Sequence, residues 1–242
     1  MYSEQRVIVS TRIGLISDPH ATAAPVEEAL SLFKAAGVDR IFCAGDIAGY
    51  GNELEQTLDL LVEGDCRAIS GNHDLWYVED SADKPETRTR TFLSDLPSVL
   101  ELTIEGKKLY MVHASPPRSY LEGIKLLDER GEILPDRKQE WSERLQGFEY
   151  DVLVVGHTHQ VFAERLANTL VINPGSTKFN HSCAILELPG LAFQVLPLSD
   201  KKVVKSWNWG TNQIAKIDRA LAVTSHGLNH KGHEGHKGQH VK

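Results

Sequence analysis

The stretch CRAISGNHD, residues 66–74, joins a short apolar run to three strongly polar side chains. The run is typical of a buried β-strand, and Asn72, His73 and Asp74 follow it directly. An amide, an imidazole or a carboxylate is costly to bury without a hydrogen-bond partner. These side chains must therefore either satisfy one another or face a ligand that needs polar contacts.

The same arrangement recurs along the chain. Five further apolar runs each lead into polar residues or a turn: RIGLIS (12–17), DRIFCAG (39–45), KLYMV (108–112), DVLVVG (151–156) and TLVIN (169–173). The runs lack strict polar alternation, which is typical of strands buried on both faces. Residues 25–37 and 52–64 carry apolar side chains at helical spacing between the first runs. Alternating strands and helices predict right-handed crossovers and a parallel or mixed sheet.

Two late segments have a different pattern. Residues 182–190 and 191–198 form consecutive apolar runs with no helical segment between them. This is typical of an antiparallel hairpin, and we expect it to belong to a second, more antiparallel sheet.

Composition limits the class of protein. The 242 residues contain 26 Lys and Arg against 33 Asp and Glu, for a net charge of −7. Such a chain is a poor candidate for salt-driven binding to nucleic acid, so we expect no stable nucleic-acid complex and disfavour a nuclease on long DNA. The scattered cysteines are typical of thiols in a reducing compartment. No signal peptide or membrane span is evident, so we expect a cytoplasmic protein without membrane contact.

The sequence favours one domain followed by a tail. Residues 1–224 contain no internal repeat and no convincing linker, and we predict a single domain there. Residues 225–242 have too few apolar side chains to fold alone, and we predict disorder. The tail contains five histidines, which leaves a metal-binding role open: His226, His230, His233, His236 and His240.

The polar residues at the strand ends form a plausible ligand set. Because ligands gather at the carboxyl ends of strands in open α/β sheets, seven side chains are expected to converge: Asp18, His20, Asp46, Asn72, His113, His157 and His159. Imidazole, carboxylate and amide ligands without thiolate suit Mn²⁺, Fe or Zn²⁺. Seven ligands exceed what one ion uses, whereas two ions sharing a carboxylate would use them well. Paired ions stabilise in-line displacement at phosphorus, and the resulting positive pocket favours a phosphate ester.

The motifs in order are DPH (18–20), GD (45–46), GNHD (71–74), VH (112–113) and GHTH (156–159). This series resembles the calcineurin-like metallophosphoesterases. Segments GDIAGYG (45–51), VHASPPR (112–118) and VINPGS (171–176) are most similar to a small bacterial and archaeal phosphodiesterase-like branch.

The resemblance implies an α/β fold, a four-layer α/β/β/α sandwich of two mixed β-sheets flanked by helices, with a dinuclear centre at the sheet edge. One metal ion would take Asp18, His20, Asp46 and His159; the other would take Asp46, Asn72, His113 and His157, so that Asp46 bridges them. The ions are expected to be Mn²⁺, with Fe, Zn²⁺ or Ni²⁺ also compatible. A metal-bridging hydroxide would attack phosphorus directly, without a covalent enzyme intermediate.

The resemblance also implies that His73, next to Asn72, would bind the substrate and protonate the leaving alkoxide. The positions of four further residues beside the motifs suggest roles for them. Two roles are open for Arg118: it contacts the phosphate of the substrate, or it is a surface arginine in a turn. Asp74 would either support the centre or make a structural hydrogen bond. Trp76 and Tyr77 would line the entrance, where an aromatic ring could stack a nucleobase, or pack beneath the following loop.

Two further features bear on the substrate. Phosphoprotein phosphatases carry V-D-R-G after their G-D, and the corresponding positions here are Gly49 and Tyr50, which argues against that activity. The segment 115–150 is expected to form a cap over the site.

We therefore predict a dinuclear metal-dependent phosphoesterase acting on phosphodiesters or small nucleotides. The alternatives are a phosphomonoesterase or pyrophosphohydrolase with the same centre, or a non-catalytic protein-binding scaffold. The expected partner is a small phosphorylated substrate, and the sequence leaves the oligomeric state open.

Overall fold

The computed structural model describes residues 10–83 and 85–208. Their first β-sheet has the strand order β10-β9-β1-β2-β3. Its strands are β1 (Thr11–Ile16), β2 (Arg40–Cys43), β3 (Cys66–Ala68), β9 (Ser182–Leu188) and β10 (Ala192–Pro197). The first three strands are parallel to one another, and β9 runs antiparallel to both β1 and β10. The sheet is therefore mixed.

The second sheet has the order β4-β5-β6-β8-β7. Its strands are β4 (Val99–Ile104), β5 (Lys107–Val112), β6 (Val152–Val154), β7 (Val161–Leu166) and β8 (Thr169–Pro174). Strands β5, β6 and β8 are parallel, while β4 and β7 run antiparallel to their neighbours. This sheet is mixed as well.

The described residues form five helices: α1 (Ala23–Ala35), α2 (Leu54–Glu63), α3 (Asn72–Asp80), α4 (Arg88–Ser94) and α5 (Pro135–Arg144). The two predicted helical segments are confirmed as α1 and α2. Helix α1 begins two residues before Pro25, which lies in its first turn, where proline is tolerated. None of the helices in the described ranges is long and apolar enough to span a membrane.

Three apolar clusters separate four layers. Val152 and Val154 face the first sheet, where they share a cluster with Leu15. The alternate residue Leu153 faces outward and packs in a cluster with Trp141 of α5. A third cluster joins the first sheet to α1 and α2. Because successive side chains of a strand point to opposite faces, each central strand contributes side chains to two of these clusters. The predicted four-layer sandwich is confirmed.

Helix α1 lies unusually close to β1. A Cβ atom at Gly14 would lie 2.6 Å from the Phe33 ring, well inside contact distance. Phe33 is fully buried there, so the absence of a side chain at Gly14 sets how closely the helix approaches the sheet.

The late hairpin is confirmed, but its predicted location is wrong. β9 and β10 pair antiparallel, yet β9 also pairs with β1, with Ala184 opposite Leu15. The hairpin therefore completes the first sheet and does not start a second one. The physical reason is that β1 would otherwise leave one edge of backbone groups unpaired. The apolar β9 can fill that position because both of its faces are buried.

The cap prediction is wrong for most of the segment 115–150. Helix α5 packs through Trp141 on the outer face of the second sheet, where it forms the outer helical layer. The part that reaches the candidate site is a loop around Leu121, whose carbonyl lies 3.0 Å from His157 Nε2. The predicted domain end at residue 224 and the tail 225–242 lie outside the described residues.

Candidate metal centre

The loops after β1 and β2 run side by side at the carboxyl edge of the first sheet. The Asp18 N–H donates to the Gly45 carbonyl at 3.0 Å, and the His20 N–H donates to the Asp46 carbonyl at 3.0 Å. These backbone hydrogen bonds fix the predicted ligands of two loops relative to each other.

Backbone strain is concentrated in the same loops. Five of the predicted ligands have φ between 45° and 64°: Asp18, His20, Asp46, His157 and His159. Residues with a Cβ seldom adopt this left-handed conformation, and it clusters at functional sites. The sharp backbone turns place side chains of neighbouring residues in one centre.

Three side chains form a first donor set. Asp18 Oδ1 lies 3.3 Å from His159 Nε2, and the Nε2 atoms of His20 and His159 are 3.0 Å apart. All three side chains are buried. This is the set predicted for one ion, apart from the shared Asp46.

A second donor set lies beside it. The Asn72 side-chain oxygen is 3.2 Å from His113 Nε2 and 2.9 Å from His157 Nδ1. Asn72 and His113 are buried, whereas His157 is partly exposed. This set corresponds to the second predicted ion.

Asp46 lies between the two sets. Its Oδ2 is 3.9 Å from His20 Nε2, and its Oδ1 is 3.3 Å from His113 Nε2. Oδ1 also accepts a hydrogen bond from the His73 N–H at 2.8 Å. Each carboxylate oxygen therefore faces a different donor set.

The imidazoles are oriented as metal ligands. Backbone carbonyls hold three of them at 2.7–3.2 Å: His20 Nδ1 faces Ala48, His113 Nδ1 faces Ala44 and His157 Nε2 faces Leu121. A ring nitrogen that donates its proton to a carbonyl leaves the other nitrogen with a free electron pair. That other nitrogen faces the centre in each case, so the donor set fits divalent cations.

The two buried carboxylates of the cluster favour the binding of positive charge. Among the residues that the structure describes, Asp18 and Asp46 form ion pairs only with histidines. Burial opposes ionisation of Asp18, but a hydrogen bond and the charge of His159 keep its pKa well below the ordinary range. Burial likewise disfavours a charged His113, yet Asp46 raises its pKa to about 9. Metal ions would replace such a proton.

Ligand atoms of the described residues come within 4.8 Å of one another in three groups: Asp18, His20 and His159; His20, Asp46 and His73; Asp46, His113 and His157. The groups overlap at His20 and Asp46, and the candidate centre is therefore continuous.

Asp74 connects the loop after β2 to the segment before α3. Its fully buried carboxylate accepts hydrogen bonds from the N–H of Ala48 at 2.7 Å and of Gly71 at 2.8 Å. Burial and the nearby charge of Asp46 raise the pKa of Asp74 to about 7. Because Ala48 also supplies the carbonyl that faces His20, Asp74 positions a ligand through the backbone.

His73 lies beside the donor sets and is half-buried, with its ring centroid 4.9 Å from that of His20. Gly49 passes close to both rings with φ of 132°. A Cβ there would lie 2.6 Å from His20 Nδ1 and 3.1 Å from His73 Nδ1. A side chain at position 49 would displace these imidazoles, which explains the glycine in GDIAGYG.

Trp76 is 46% exposed, and its ring centroid lies 4.7 Å from that of His73. That it lines an entrance to the site stays a prediction. Tyr77 instead packs against the apolar cluster beneath α1 and α2. Tyr50, considered in the sequence only as a departure from protein phosphatases, also lies 4.7 Å from His73.

Two further residues near the centre were not predicted. The Phe179 ring stacks on His159 at 5.1 Å between centroids, and Lys178 Nζ donates to the His20 carbonyl at 3.4 Å. Both residues follow β8 by a few positions, so the rule that strand ends carry site residues could have included them.

Arg118 lies in the loop after β5 and is exposed. Within residues 10–83 and 85–208, no hydrogen bond or ion pair joins it to the cluster. Its contact with the substrate phosphate stays a prediction.

The family is now defined by both fold and sequence. The model of the calcineurin-like phosphoesterase superfamily domain matches residues 11–189. The chain belongs to this superfamily and is a metallophosphoesterase, a hydrolase of phosphoester bonds. The resemblance inferred from the motifs is thereby confirmed.

One relative and two solved structures show what the chain is similar to in sequence and in fold. The chain is 26% identical over 200 residues to an uncharacterised protein of Methanocaldococcus jannaschii, covering 76% of each chain. A metallophosphoesterase from Sphaerobacter thermophilus has a similar structure, with a TM-score of 0.59 and 20% identity over 87% of this chain and 94% of that one. An archaeal phosphodiesterase gives a TM-score of 0.53 with 18% identity, covering 78% of this chain and all of the other.

Proposed function

We propose that this metallophosphoesterase uses two divalent metal ions to hydrolyse phosphodiesters or small nucleotides. The observation that carries the proposal is the position of Asp46. Its two oxygens face separate donor sets, one ending in His20 and the other in His113. A carboxylate in that position can bind two ions at once, as a dinuclear phosphoesterase requires.

The predicted ligands are proposed to divide as the motifs implied. Asp18, His20 and His159 hold one ion, Asn72, His113 and His157 hold the other, and Asp46 joins them. When bound, the ions supply a water-derived nucleophile at neutral pH and neutralise charge on the phosphoryl oxygens. Mn²⁺ is the expected ion, and Fe, Zn²⁺ or Ni²⁺ suit the same ligand types.

His73 is proposed to bind the substrate and to protonate the leaving oxygen. It is partly open to solvent, its backbone N–H donates to Asp46, and its ring lies beside His20 and Asp46 of the donor sets. Burial lowers the pKa of His73. The negative charge of a bound phosphate ester would oppose that shift.

A diester is favoured over a monoester by the charge of the site. A monoester carries more negative charge than a diester and profits from an additional cation. Where phosphoprotein phosphatases have an arginine, this chain has Tyr50, which is 55% exposed and uncharged at neutral pH. A phosphodiester or a small nucleotide in the cytoplasm is therefore the proposed substrate class.

The test compares a chromogenic phosphodiester, bis(4-nitrophenyl) phosphate, with its monoester on Mn²⁺-loaded protein. We expect the diester to be the better substrate and its hydrolysis to vanish in Asp46→Asn. Preference for the monoester would favour the phosphomonoesterase alternative. Protein that binds no metal and hydrolyses neither ester would contradict the proposal and leave the scaffold alternative.

A further inference from the structure

Two exposed aromatic rings stand beside His73 and have no role in the chemistry described so far. Tyr50 follows the GD loop and is 55% exposed, and Trp76 on α3 is 46% exposed. The ring centroid of each lies 4.7 Å from that of His73. We call Tyr50 and Trp76 the aromatic rim.

Tyr50 also packs against the rings of His20 and Phe179, at 4.8 and 5.6 Å between centroids, yet it stays more than half exposed. Ile47 and Ala48, just before Tyr50, are fully buried, and Tyr77, just after Trp76, packs into the apolar cluster of the first sheet. The two rim residues come from different parts of the chain. Both contact the His73 ring, and about half of the surface of each stays open to solvent. Large rings of this kind bind flat aromatic groups by stacking, and this stacking tolerates any base because every base has a π-face.

The position of the rim relative to the acid defines which part of a substrate it contacts. A general acid must lie within hydrogen-bond reach of the oxygen that it protonates. The leaving oxygen therefore lies near His73. The group attached to that oxygen lies on the side of His73 and the rim, opposite the attacking water, while the other ester group occupies an equatorial position on the phosphorus.

We infer that Tyr50 and Trp76 bind the base of a nucleoside that is attached through the leaving oxygen. This inference rests on the proposed function and makes it more specific. The substrate class is a nucleoside phosphodiester, and the products are a free nucleoside and the phosphate monoester of the other group. Water forms the new bond to phosphorus, and the bond from phosphorus to the nucleoside oxygen breaks. That oxygen keeps the electron pair and takes the proton from His73, and the proton lost by water restores it.

The direction of cleavage tests the inference. The probe is the mixed diester of adenosine 5′-phosphate with methanol, which offers two alkoxide leaving groups. Mn²⁺-loaded protein should release adenosine and methyl phosphate, separated by chromatography. Predominant release of adenosine 5′-phosphate and methanol would overturn the inference and leave the phosphoesterase activity intact.

Rim variants make the test specific. In Tyr50→Ala and Trp76→Ala we expect kcat/KM for the adenosine diester to fall roughly 10-fold to 100-fold, the range measured for base stacking. Phenylalanine at either position should restore most of it. The diester in which 1-O-methylribose replaces adenosine lacks the base and cannot stack on the rim. Its kcat/KM should therefore differ by less than about 3-fold between the rim variants and the wild-type protein.

Leu75→Ala provides the matched control. Leu75 is an exposed apolar residue on the same helix, directly before Trp76, and is not an aromatic partner of His73. Leu75→Ala should leave kcat/KM unchanged for both the adenosine diester and the base-free diester. Equal losses on the adenosine and base-free diesters in the rim variants would overturn the inference.

A binding measurement separates failure of the inference from failure of the proposed function. If neither diester is hydrolysed, the proposed function fails, and the fluorescence of Trp76 still reports on the rim. Adenosine 5′-phosphate should quench the emission of the wild-type protein more than that of Trp76→Ala, and ribose 5-phosphate should not. Identical quenching in both proteins would contradict base binding at the rim.

Discussion

The floor and the rim of the candidate site are built in opposite ways. The floor consists of the seven predicted ligands, most of them buried; backbone carbonyls hold three of the imidazoles, and five of the ligands lie on left-handed backbone turns. The rim consists of two exposed side chains, Tyr50 and Trp76, which lie beside His73. The difference indicates that the floor carries the reaction and the rim selects the substrate. Substitutions in the floor should therefore have much larger effects.

The largest effect is expected from Asp46→Asn. An amide presents one oxygen where the carboxylate presents two, and it removes a negative charge between the two donor sets. Metal-ion catalysis contributes several kcal/mol, so kcat should fall about 1,000-fold or more. Steady-state kinetics of Mn²⁺-loaded protein would measure this. Asp59→Asn, an exposed carboxylate paired with Arg88, is the control and should retain activity.

His73→Asn should have the next largest effect, and the size should depend on the leaving group. General acid catalysis contributes about 100-fold to 10,000-fold when the leaving oxygen is a poor one. The loss should be large for an alkyl diester and small for a 4-nitrophenyl diester, whose leaving group needs no proton. His181→Asn, outside the cluster, is the control. Equal losses on both esters would contradict the role of His73 as an acid.

Gly49→Ala tests whether the floor depends on close backbone approach. The new Cβ would lie 2.6 Å from His20 Nδ1, so we expect metal affinity to fall about 10-fold to 100-fold, as when ligand positioning is disturbed. Calorimetric titration with Mn²⁺ would measure the loss. Gly37→Ala is the control for a glycine of positive φ, here 66°, but its Cβ would meet nothing within 4 Å. If both variants lose affinity equally, displacement of His20 is not the cause.

Arg118→Ala should have the smallest effect. Arg118 is exposed, and an exposed ionic contact contributes about 0.2–1 kcal/mol, so KM for the diester should rise by a factor of about 5 at most. Arg137→Ala on α5 is the control for general charge effects. An unchanged KM would assign Arg118 to the surface.

The sequence predicted the floor better than the rim for a physical reason. Buried strands produce long apolar runs, and polar residues at their ends are conspicuous because burial makes them costly. Asp18, Asp46 and His113 could be found this way, and the structure brings them together. Tyr50 carries no such signal, because an exposed tyrosine in a loop has the same sequence appearance whether or not it borders a site.

The errors in the fold have a related origin. A hairpin pattern such as that of β9 and β10 predicts that two strands pair with each other. It contains no information on which sheet they join, and this depends on the free edge of β1, far away in the sequence. The cap predicted for residues 115–150 is wrong for a similar reason, because the packing of α5 through Trp141 depends on the outer face of the second sheet.

The most direct test of the dinuclear centre is to count and characterise the bound metal. Protein reconstituted with Mn²⁺ should contain two ions per chain, and its electron paramagnetic resonance spectrum should show magnetic coupling between them, because Asp46 is proposed to bridge both. Asp46→Asn should lose that coupling. A single bound ion, or two uncoupled ions in a fully active enzyme, would contradict the account.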